Sequence, residues 1–479
     1  MKLKLTALLL CCFVINSFAQ APERQQFVRV EAPTVALTHV RVLDGTGAPP
    51  REEQTVVISG GKIESVGATA TTQVPAGARV LDLTGYAALP GLVGLHNHLF
   101  FPMGGSPPMY SNMGGSFPRL YLALGVTTIR TTGSVAPYTD LEIKRLIDSG
   151  RMIGPKMHVT APYLEGAGAF TPVMHQLADA DDARRMVNYW ADAGATSFKA
   201  YMNITRAELR AAVEEAHKRG LKVTGHLCSV GYREAAEIGI DNLEHGLFAD
   251  AEFVPDKKPD QCPPGAAVRA SLQQLDLNGA AARETIRTLV ERKVALTSTL
   301  PVFEAGGAPL AQSGIGAAGA LLNPRVLNVM STDARARYLQ ARARVPADAN
   351  FVALLRKAME FERAFVRAGG LLVAGPDPTG NGGVVAGFGD LREVELLVEA
   401  GFTPVEAIKI ASYNGAKFLG EDARIGSIAA GKQADLMIVK GNPAANINDI
   451  EQVEIVFKDG VGYDSEKLIQ SVQGLVGIR

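Results

Sequence analysis

The sequence predicts an α/β protein with a (β/α)8 TIM-like barrel and a small β-sandwich domain formed from both ends of the chain. Between Gly91 and about Gly420, apolar β-branched stretches alternate with helical patterns, as in a chain of parallel strands joined by helices. The regions before and after are dense in β-forming residues broken by Gly and Pro, which is typical of short strands joined by tight turns. These two patterns divide the chain into a barrel and a companion domain.

The barrel prediction rests on eight strand-like stretches within residues 89–420. Eight such units favour a closed barrel over an open sheet. The stretches are, in order, LPGLVGLHNH, VTTIRTTG, PKMHVTAP, ATSFKAYM, LKVTGHL, DNLEHGL, VALTSTLP and LLVAGPD. Residues 28–88 and 421–479 supply the predicted β-sandwich.

The composition is that of a globular protein with balanced charge. The chain has 479 residues, 47% of them hydrophobic, which is enough for a large core and a smaller second domain. Lys and Arg total 48 and Asp and Glu total 49, so the formal net charge is −1. Nucleic acid and acidic membrane surfaces are therefore not expected as partners. We expect a small-molecule substrate, and self-association into a homo-oligomer stays open.

Residues 1–19 have the pattern of a secretory signal peptide. Two lysines precede an apolar run from Leu5 to Ile15, and small residues end the segment at Ala19. The run is shorter than the roughly 20 residues that span a bilayer, so no stable membrane insertion is expected after cleavage. We expect export to the periplasm or the medium, with an uncleaved anchor or lipidation of Cys11 as alternatives.

Two cysteines, Cys228 and Cys262, remain once the signal peptide is removed. In an oxidising compartment they can pair, and a disulfide from Cys228 would then hold the rim of the proposed site. Two unpaired thiols are an equal alternative.

Four histidines lie at the predicted C-terminal ends of barrel strands, where enzymes with this fold carry their active sites. His96 and His98 end the first strand one residue apart, so strand alternation points both side chains to the same side. His226 ends the fifth strand, His245 the sixth and Asp377 the eighth. Imidazoles and a carboxylate gathered at one mouth predict a metal site.

Lys199 ends the predicted fourth strand, facing the same mouth. An ammonium group there would lose its hydration at a large energetic cost. A salt bridge would relieve this cost. Alternatively, a lysine with a lowered pKa can add carbon dioxide and become a carbamate, which is an anionic donor able to bridge two metal ions.

These residues and their sequence contexts resemble the amidohydrolase superfamily. The resemblance is carried by PGLVGLHNH, by His226 in GHL, by His245 in LEHG and by the closing segment GSIAAGKQADLMIVKGNP, and it runs from about residue 35 to residue 460. It implies a metal-dependent barrel with a small β-sandwich. His96 and His98 resemble the ligands of a buried metal ion, and His226 and His245 those of a more exposed one.

The resemblance also implies a chemistry. Two divalent ions, with zinc best suited to imidazole and carboxylate ligands, would be bridged by carboxylated Lys199. Asp377 would be both a ligand and the general base, taking a proton as the bridging hydroxide attacks the substrate carbonyl and delivering it to the leaving nitrogen. The expected reaction is hydrolysis of an amide-type C–N bond in an N-acyl amino acid, a dipeptide or a cyclic amide.

The resemblance is strongest to the dipeptidase and imidazolonepropionase-like branch of the superfamily. Single-metal deaminases resemble one another in carrying an acidic residue three positions after the fifth-strand histidine, and here that position is Ser229. Cleavage of esters, lactones or phosphoesters by the same two-metal site is the alternative. A non-catalytic metal-binding protein is a more remote one.

Substrate contacts are expected from the loops that follow the strands. Tyr201 lies two residues beyond Lys199 and so on the same strand face, and Tyr232 and Arg233 follow the fifth strand. Each is a candidate for binding a substrate carboxylate, Arg233 through a bidentate pair. A packed tyrosine and a solvated arginine are the alternatives.

Overall fold

The structure, a computed structural model, describes residues 23–306, 323–344 and 349–477. The predicted signal peptide at residues 1–19, with Cys11, lies outside these ranges. Among the helices within them, none is both long and apolar enough to cross a membrane.

Strands and helices alternate through the middle of the chain, and strands predominate near its ends. The strands are β1 (Val28–Val30), β2 (Thr34–Val42), β3 (Arg51–Ser59), β4 (Lys62–Ala68), β5 (Arg79–Asp82), β6 (Tyr86–Pro90), β7 (Leu92–Asn97), β8 (Phe100–Gly104), β9 (Met109–Asn112), β10 (Val126–Thr131), β11 (Lys156–Leu164), β12 (Ser197–Ala200), β13 (Lys222–Gly225), β14 (Asn242–Glu244), β15 (Ala295–Ser298), β16 (Leu372–Ala374), β17 (Leu436–Lys440), β18 (Val453–Lys458) and β19 (Val461–Asp464).

The α-helices lie mostly between the barrel strands. They are α1 (Phe117–Ala123), α2 (Pro137–Asp148), α3 (Ala180–Ala193), α4 (Arg206–Lys218), α5 (Tyr232–Ile238), α6 (Gly265–Gln274), α7 (Ala280–Glu291), α8 (Leu300–Gly306), α9 (Pro324–Val329), α10 (Thr332–Ala343), α11 (Ala349–Arg367), α12 (Phe388–Glu399), α13 (Pro404–Lys409), α14 (Gly415–Leu419) and α15 (Ser465–Gln470). Short 3-10 turns lie at Glu23–Phe27, Gly246–Ala249 and Ile447–Glu451, and a π-helical turn at Ile410–Asn414.

Helix α4 illustrates how local sequence sets these elements. The Thr205 hydroxyl accepts a hydrogen bond from the backbone N–H of Glu208 at 3.2 Å, and the Glu208 carboxylate accepts one from the N–H of Thr205 at 2.8 Å. This reciprocal cap satisfies two N–H groups that the first turn leaves unpaired. Leu209 and Val213, four residues apart, are buried on one face of the helix.

Eight parallel strands form the barrel, paired in the order β7, β10, β11, β12, β13, β14, β15 and β16. They coincide with the eight strand-like stretches of the sequence, so the predicted barrel is confirmed. The hairpin of β8 and β9, which follows the first barrel strand, was not predicted.

The barrel closes where its first and last strands meet. The backbone N–H of Asp377, just after β16, donates to the carbonyl oxygen of His96 at 3.0 Å. A Cβ atom on Gly375 would lie 2.2 Å from the backbone nitrogen of His96, so this approach requires glycine. Closure therefore brings two of the predicted metal ligands together.

The small domain is one nine-stranded sheet to which both ends of the chain contribute. Its strands follow the order β1, β19, β18, β17, β6, β2, β3 and β4, and β5 pairs with β2. Strand β2 runs parallel to β5 and β6, and the other pairs are antiparallel. Val35, Leu37 and Ile58 from the head pack with Ile438 and Phe457 from the tail in a separate apolar cluster.

Cys228 and Cys262 form a disulfide across 34 positions of sequence. It joins the segment after β13 to the segment that leads into α6. Of the two alternatives left by the sequence, the structure has the paired form.

We expect Cys262→Ser to lower the free energy of unfolding by about 4 kcal/mol, because the disulfide restricts the unfolded chain over a loop of this length. Guanidinium unfolding curves of both proteins, with and without reductant, measure the change. Reductant should lower the wild-type midpoint and leave that of Cys262→Ser unmoved. Equal midpoints for the two oxidised proteins would contradict a stabilising crosslink.

Candidate metal centre

Four imidazoles and one carboxylate converge at the C-terminal mouth of the barrel. The ring centroid of His96 lies 5.3 Å from that of His98 and 4.6 Å from that of His245. The ring centroid of His226 lies 4.3 Å from that of His245. With Asp377, these rings line a pocket whose cavity measures about 50 Å³. The structure thus brings together residues that the sequence assigned to one site.

Asp377 reaches this group from the loop after β16. Its Oδ1 lies 3.3 Å from Nε2 of His98 and 3.7 Å from Nε2 of His96. The candidate ligand atoms of these three residues all lie within 4.8 Å of one another. Asp377 and His245 both have left-handed backbones, with φ of 50° and 71°. Non-glycine residues in that region are uncommon, and such strain is concentrated at functional sites.

Each of three imidazoles is oriented by a second group at Nδ1. These pairs are His96 with Glu244 Oε2 at 2.7 Å, His98 with the Gly133 carbonyl oxygen at 3.2 Å, and His245 with Thr299 Oγ1 at 2.8 Å. An imidazole held in this way can present Nε2 to a metal ion. The partners of His96 and His98 can only accept, so their Nδ1 atoms carry the proton, whereas the Thr299 hydroxyl can either donate or accept.

The arrangement around His96 fits a bound cation. Burial lowers the pKa of His96 far below its ordinary value, and the charge of Lys199 acts in the same direction, so the ring is neutral. Its single N–H points to the carboxylate of Glu244, which can only accept. Nε2 therefore carries a lone pair and faces a second acceptor, Oδ1 of Asp377. A cation between two acceptors removes their repulsion, and imidazole with carboxylate is a donor set that suits zinc.

Lys199 lines the same pocket from β12, and its side chain is buried. Burial lowers its pKa to about 8, against the opposing charges of Glu244 and Asp377. None of the ion pairs within the described ranges includes Lys199. Lys199 therefore lacks the salt bridge that was one of the two alternatives, as far as the described residues show. With this pKa, part of the Lys199 population carries a neutral amine near neutral pH.

A buried ion pair between Glu244 and Arg130 contacts the candidate metal centre at His96. Glu244, from β14, accepts a hydrogen bond from Nη2 of Arg130 at 2.7 Å through Oε1 while its other oxygen faces His96. The Thr224 hydroxyl also donates to Glu244, and Asn242 accepts from Arg130 at 2.9 Å. Although burial raises the pKa of Glu244, the charges of Arg130 and Lys199 outweigh it, so the pKa is lowered.

Glu244 and Arg130 escaped prediction from the sequence. One signal was available, because an arginine inside the apolar stretch VTTIRT requires a buried partner. The partner itself could not be identified, since Glu244 comes from a strand far along the chain.

Aromatic side chains form one wall of the pocket. Tyr201, a predicted substrate contact, lines it with its ring 4.9 Å from that of His226 and 4.9 Å from that of Tyr163. Phe100 and Tyr110 reach the same pocket from the unpredicted hairpin of β8 and β9. This wall is in position to contact a substrate.

The other two predicted substrate contacts lie away from the pocket. Tyr232 is fully buried, and its hydroxyl is 2.7 Å from the carbonyl oxygen of Gly246, to which it donates. It is the first residue of α5, so the helix turns the ring into the core instead of the mouth. Arg233 pairs with Glu252 at 3.2 Å and lines a different surface cavity. Neither side chain faces the candidate metal centre.

The remaining histidines pair with carboxylates elsewhere. The pairs are His39 with Glu53 at 2.8 Å, His158 with Glu421 at 3.1 Å, His175 with Asp182 at 3.0 Å and His217 with Asp241 at 3.0 Å.

We expect Glu244→Gln to weaken metal binding 10- to 100-fold, roughly the usual effect of removing a partner that orients a ligand. It should also destabilise the fold by about 3–5 kcal/mol, because the Arg130 charge loses its counter-charge. Zinc competition with a chromogenic chelator and thermal unfolding measure the two effects.

Glu304→Gln is the matched control, because Glu304 is also buried and pairs with an arginine, Arg392, at 2.7 Å. It should lower stability and leave zinc affinity unchanged. Equal losses of zinc affinity in both variants would show that Glu244 acts through stability alone.

Comparison with known proteins identifies a family whose model matches most of this sequence. Residues 87–461 match the model of the amidohydrolase family. No curated protein gave a significant match.

Solved structures share the fold along most of the chain. A prolidase candidate from Bifidobacterium longum is 26% identical, with a TM-score of 0.64, over 92% of this chain and 98% of that one. A Xaa-Pro dipeptidase with methionine bound in its active site is 19% identical, with a TM-score of 0.66, over 90% and 100%. A molinate hydrolase is 19% identical, with a TM-score of 0.65, over 92% and 96%. Since the family model covers most of the sequence, this chain belongs to the amidohydrolase family.

Proposed function

We propose that this chain is a metal-dependent amidohydrolase that cleaves an amide-type C–N bond in an N-acyl amino acid, a dipeptide or a cyclic amide. One observation carries the proposal: Nε2 of His96 and Oδ1 of Asp377, both acceptors, face each other at 3.7 Å inside a ring of imidazoles. Membership of a hydrolase family and structural likeness to a prolidase candidate support it.

The metal ligands proposed are the six residues at the barrel mouth: His96, His98, Lys199, His226, His245 and Asp377. When bound, two divalent ions, preferably zinc, would polarise the substrate carbonyl and acidify the attacking water. The protein's own contribution is to hold His96 and His98 in one tautomer and to keep the pocket small, so that few water molecules compete with the substrate.

Asp377 has the position of a general base. Its Oδ1 faces the imidazole ring of His98. The same oxygen accepts a hydrogen bond from the Thr379 hydroxyl at 2.8 Å, which fixes the orientation of the carboxylate. In the proposed reaction this carboxylate takes a proton from the attacking water and gives it to the nitrogen of the breaking C–N bond. The nitrogen then leaves as a neutral amine.

Lys199 is proposed to act as a carbamate. The neutral Nζ attacks carbon dioxide, an N–C bond forms, one C=O bond becomes C–O⁻, and Nζ releases a proton to solvent. A buried neutral amine is thereby replaced by an anion with two oxygen donors, which adds negative charge to a pocket suited to metal ions. Its burial without a described ion pair supports this proposal.

Export is also proposed, on the basis of the pattern in residues 1–19 and the disulfide between Cys228 and Cys262. The N-terminal residue of the mature protein reports whether cleavage occurs near Ala19.

We expect Asp377→Asn to retain at least one metal ion and to lose about 10²- to 10⁴-fold in kcat, because the amide cannot accept the proton. Metal analysis and turnover of N-acyl amino acids, dipeptides and cyclic amides measure both. Chelator should abolish wild-type turnover, and zinc should restore it.

Matched ester, lactone and phosphoester substrates belong in the same assay. Faster cleavage of the oxygen compounds than of every amide would reverse the proposed substrate class. Turnover that survives complete chelation would contradict the metal mechanism. A metal-replete protein that turns over none of these substrates would support the alternative of a non-catalytic metal-binding protein.

We expect Lys199→Ala to lose both metal and activity, because the variant lacks the side chain that would supply the anionic donor. In wild-type protein loaded with zinc and ¹³C-bicarbonate, a carbamate carbon signal should appear by NMR and be missing from Lys199→Ala. Full metal content and a normal rate in this variant would remove the lysine from the mechanism.

A further inference from the structure

A second cavity adjoins the candidate metal centre. It measures about 270 Å³, and His226 lines both this cavity and the metal pocket. Nothing in the proposed chemistry uses it. Its volume lies just below the range of roughly 300–1,000 Å³ that holds a whole ligand, so it suits one side group of a larger molecule.

The walls of this cavity are apolar. Phe248 and Phe303 stack with ring centroids 3.7 Å apart and an angle of 9° between the rings. The Phe303 ring meets that of His245 edge-on at 5.7 Å, which continues the apolar surface from the candidate ligands. Helix α6 contributes Val268 and Leu272 to the same lining. A large aliphatic or aromatic group gains free energy by leaving water for such a surface.

The charged side chain of the cavity is a cation. Arg269 lines it from α6 and is exposed, and it has no ion pair or hydrogen bond within the described ranges. No Asp or Glu of the described chain is among the residues that line this cavity. A substrate carboxylate would therefore find a partner here, whereas a substrate ammonium group would not.

The disulfide fixes this wall. Cys228 and Cys262 both line the cavity, and Cys228 lies two residues beyond His226. Cys262 precedes α6, which carries Val268 and Arg269. The crosslink therefore ties the arginine and the apolar lining to the strand end that presents the imidazole. A site held in this way needs little ordering when a ligand binds.

We propose that this cavity selects the amine side of the scissile bond, by taking the side chain of a large apolar or aromatic amino acid whose carboxylate pairs with Arg269. The substrates are then N-acyl derivatives of such amino acids, including dipeptides with such a residue at the carboxyl end. An apolar side chain and a carboxylate on one moiety define the amino acid that hydrolysis releases. This inference rests on the proposed amide hydrolysis.

Three amides test the inference with zinc-loaded protein. N-acetyl-L-phenylalanine carries both recognised groups, N-acetylglycine lacks the side chain, and N-acetylphenethylamine lacks the carboxylate. We expect kcat/KM for the first to exceed that for N-acetylglycine by roughly tenfold to a hundredfold, in line with burial of one aromatic group. It should exceed that for N-acetylphenethylamine by roughly twofold to fivefold, because an ion pair to an exposed arginine contributes less. Binding of L-phenylalanine and glycine by calorimetry gives a readout that needs no turnover.

Two variants divide the cavity into its parts. Val268→Phe narrows the cavity, and should lower kcat/KM for N-acetyl-L-phenylalanine at least tenfold more than that for N-acetylglycine, which has no side chain to place there. Arg269→Met should remove the advantage of N-acetyl-L-phenylalanine over N-acetylphenethylamine. Val290→Phe is the matched control, because Val290 is a partly buried valine on α7 outside this lining, and it should change none of these ratios.

The outcomes separate the two proposals. Equal rates for the phenylalanine and glycine amides, or equal losses on both with Val268→Phe, would overturn the cavity assignment and leave amide hydrolysis intact. No turnover of any amide, together with Val268-dependent binding of L-phenylalanine, would overturn the proposed function and keep the cavity. Absence of both turnover and selective binding would overturn both.

Discussion

The buried carboxylate of Glu244 is the constraint on which both the barrel and its mouth depend. One oxygen neutralises Arg130 inside the barrel, and the other orients His96 at the pocket. A buried guanidinium without a counter-charge costs several kcal/mol, so the barrel interior requires an acid at this place. The same acid sets the tautomer of the first imidazole. Folding and site geometry are thus stabilised by one side chain.

Closure of the barrel is the second constraint. The hydrogen bond from Asp377 to the carbonyl of His96 joins the last strand to the first, and Gly375 permits the approach. The candidate centre exists only when this long-range contact has formed, because His96 and Asp377 lie at opposite ends of the barrel sequence. Hydrogen bonds hold the strained residues Asp377 and His245 in place, from the Asp377 N–H to the His96 carbonyl oxygen and between His245 Nδ1 and the Thr299 hydroxyl.

Much of this architecture could be read from the sequence. Alternation of short β-branched stretches with helical patterns gave the eight barrel strands, and the position of each histidine at a strand end gave the cluster. Both signals are local or periodic. The carboxylate that orients His96 was not predictable, because its pairing with Arg130 is a contact between distant strands. Tyr232 lies in the core and not at the pocket for a local reason, because α5 begins at that residue and directs the ring inward. The hairpin of β8 and β9 carried no pattern that distinguished it from a loop.

The two cavities that meet at His226 are built from different parts of the fold. Strand ends supply the metal pocket, whereas helices α6 and α11 and a crosslinked loop supply much of the neighbouring apolar wall. Side chains on those helices can be exchanged without moving any strand. Related proteins that keep the same metal pocket can therefore acquire new substrate preferences through changes on these helices alone. A directed-evolution library confined to α6 would explore such preferences without changing the strand ends that carry the candidate ligands.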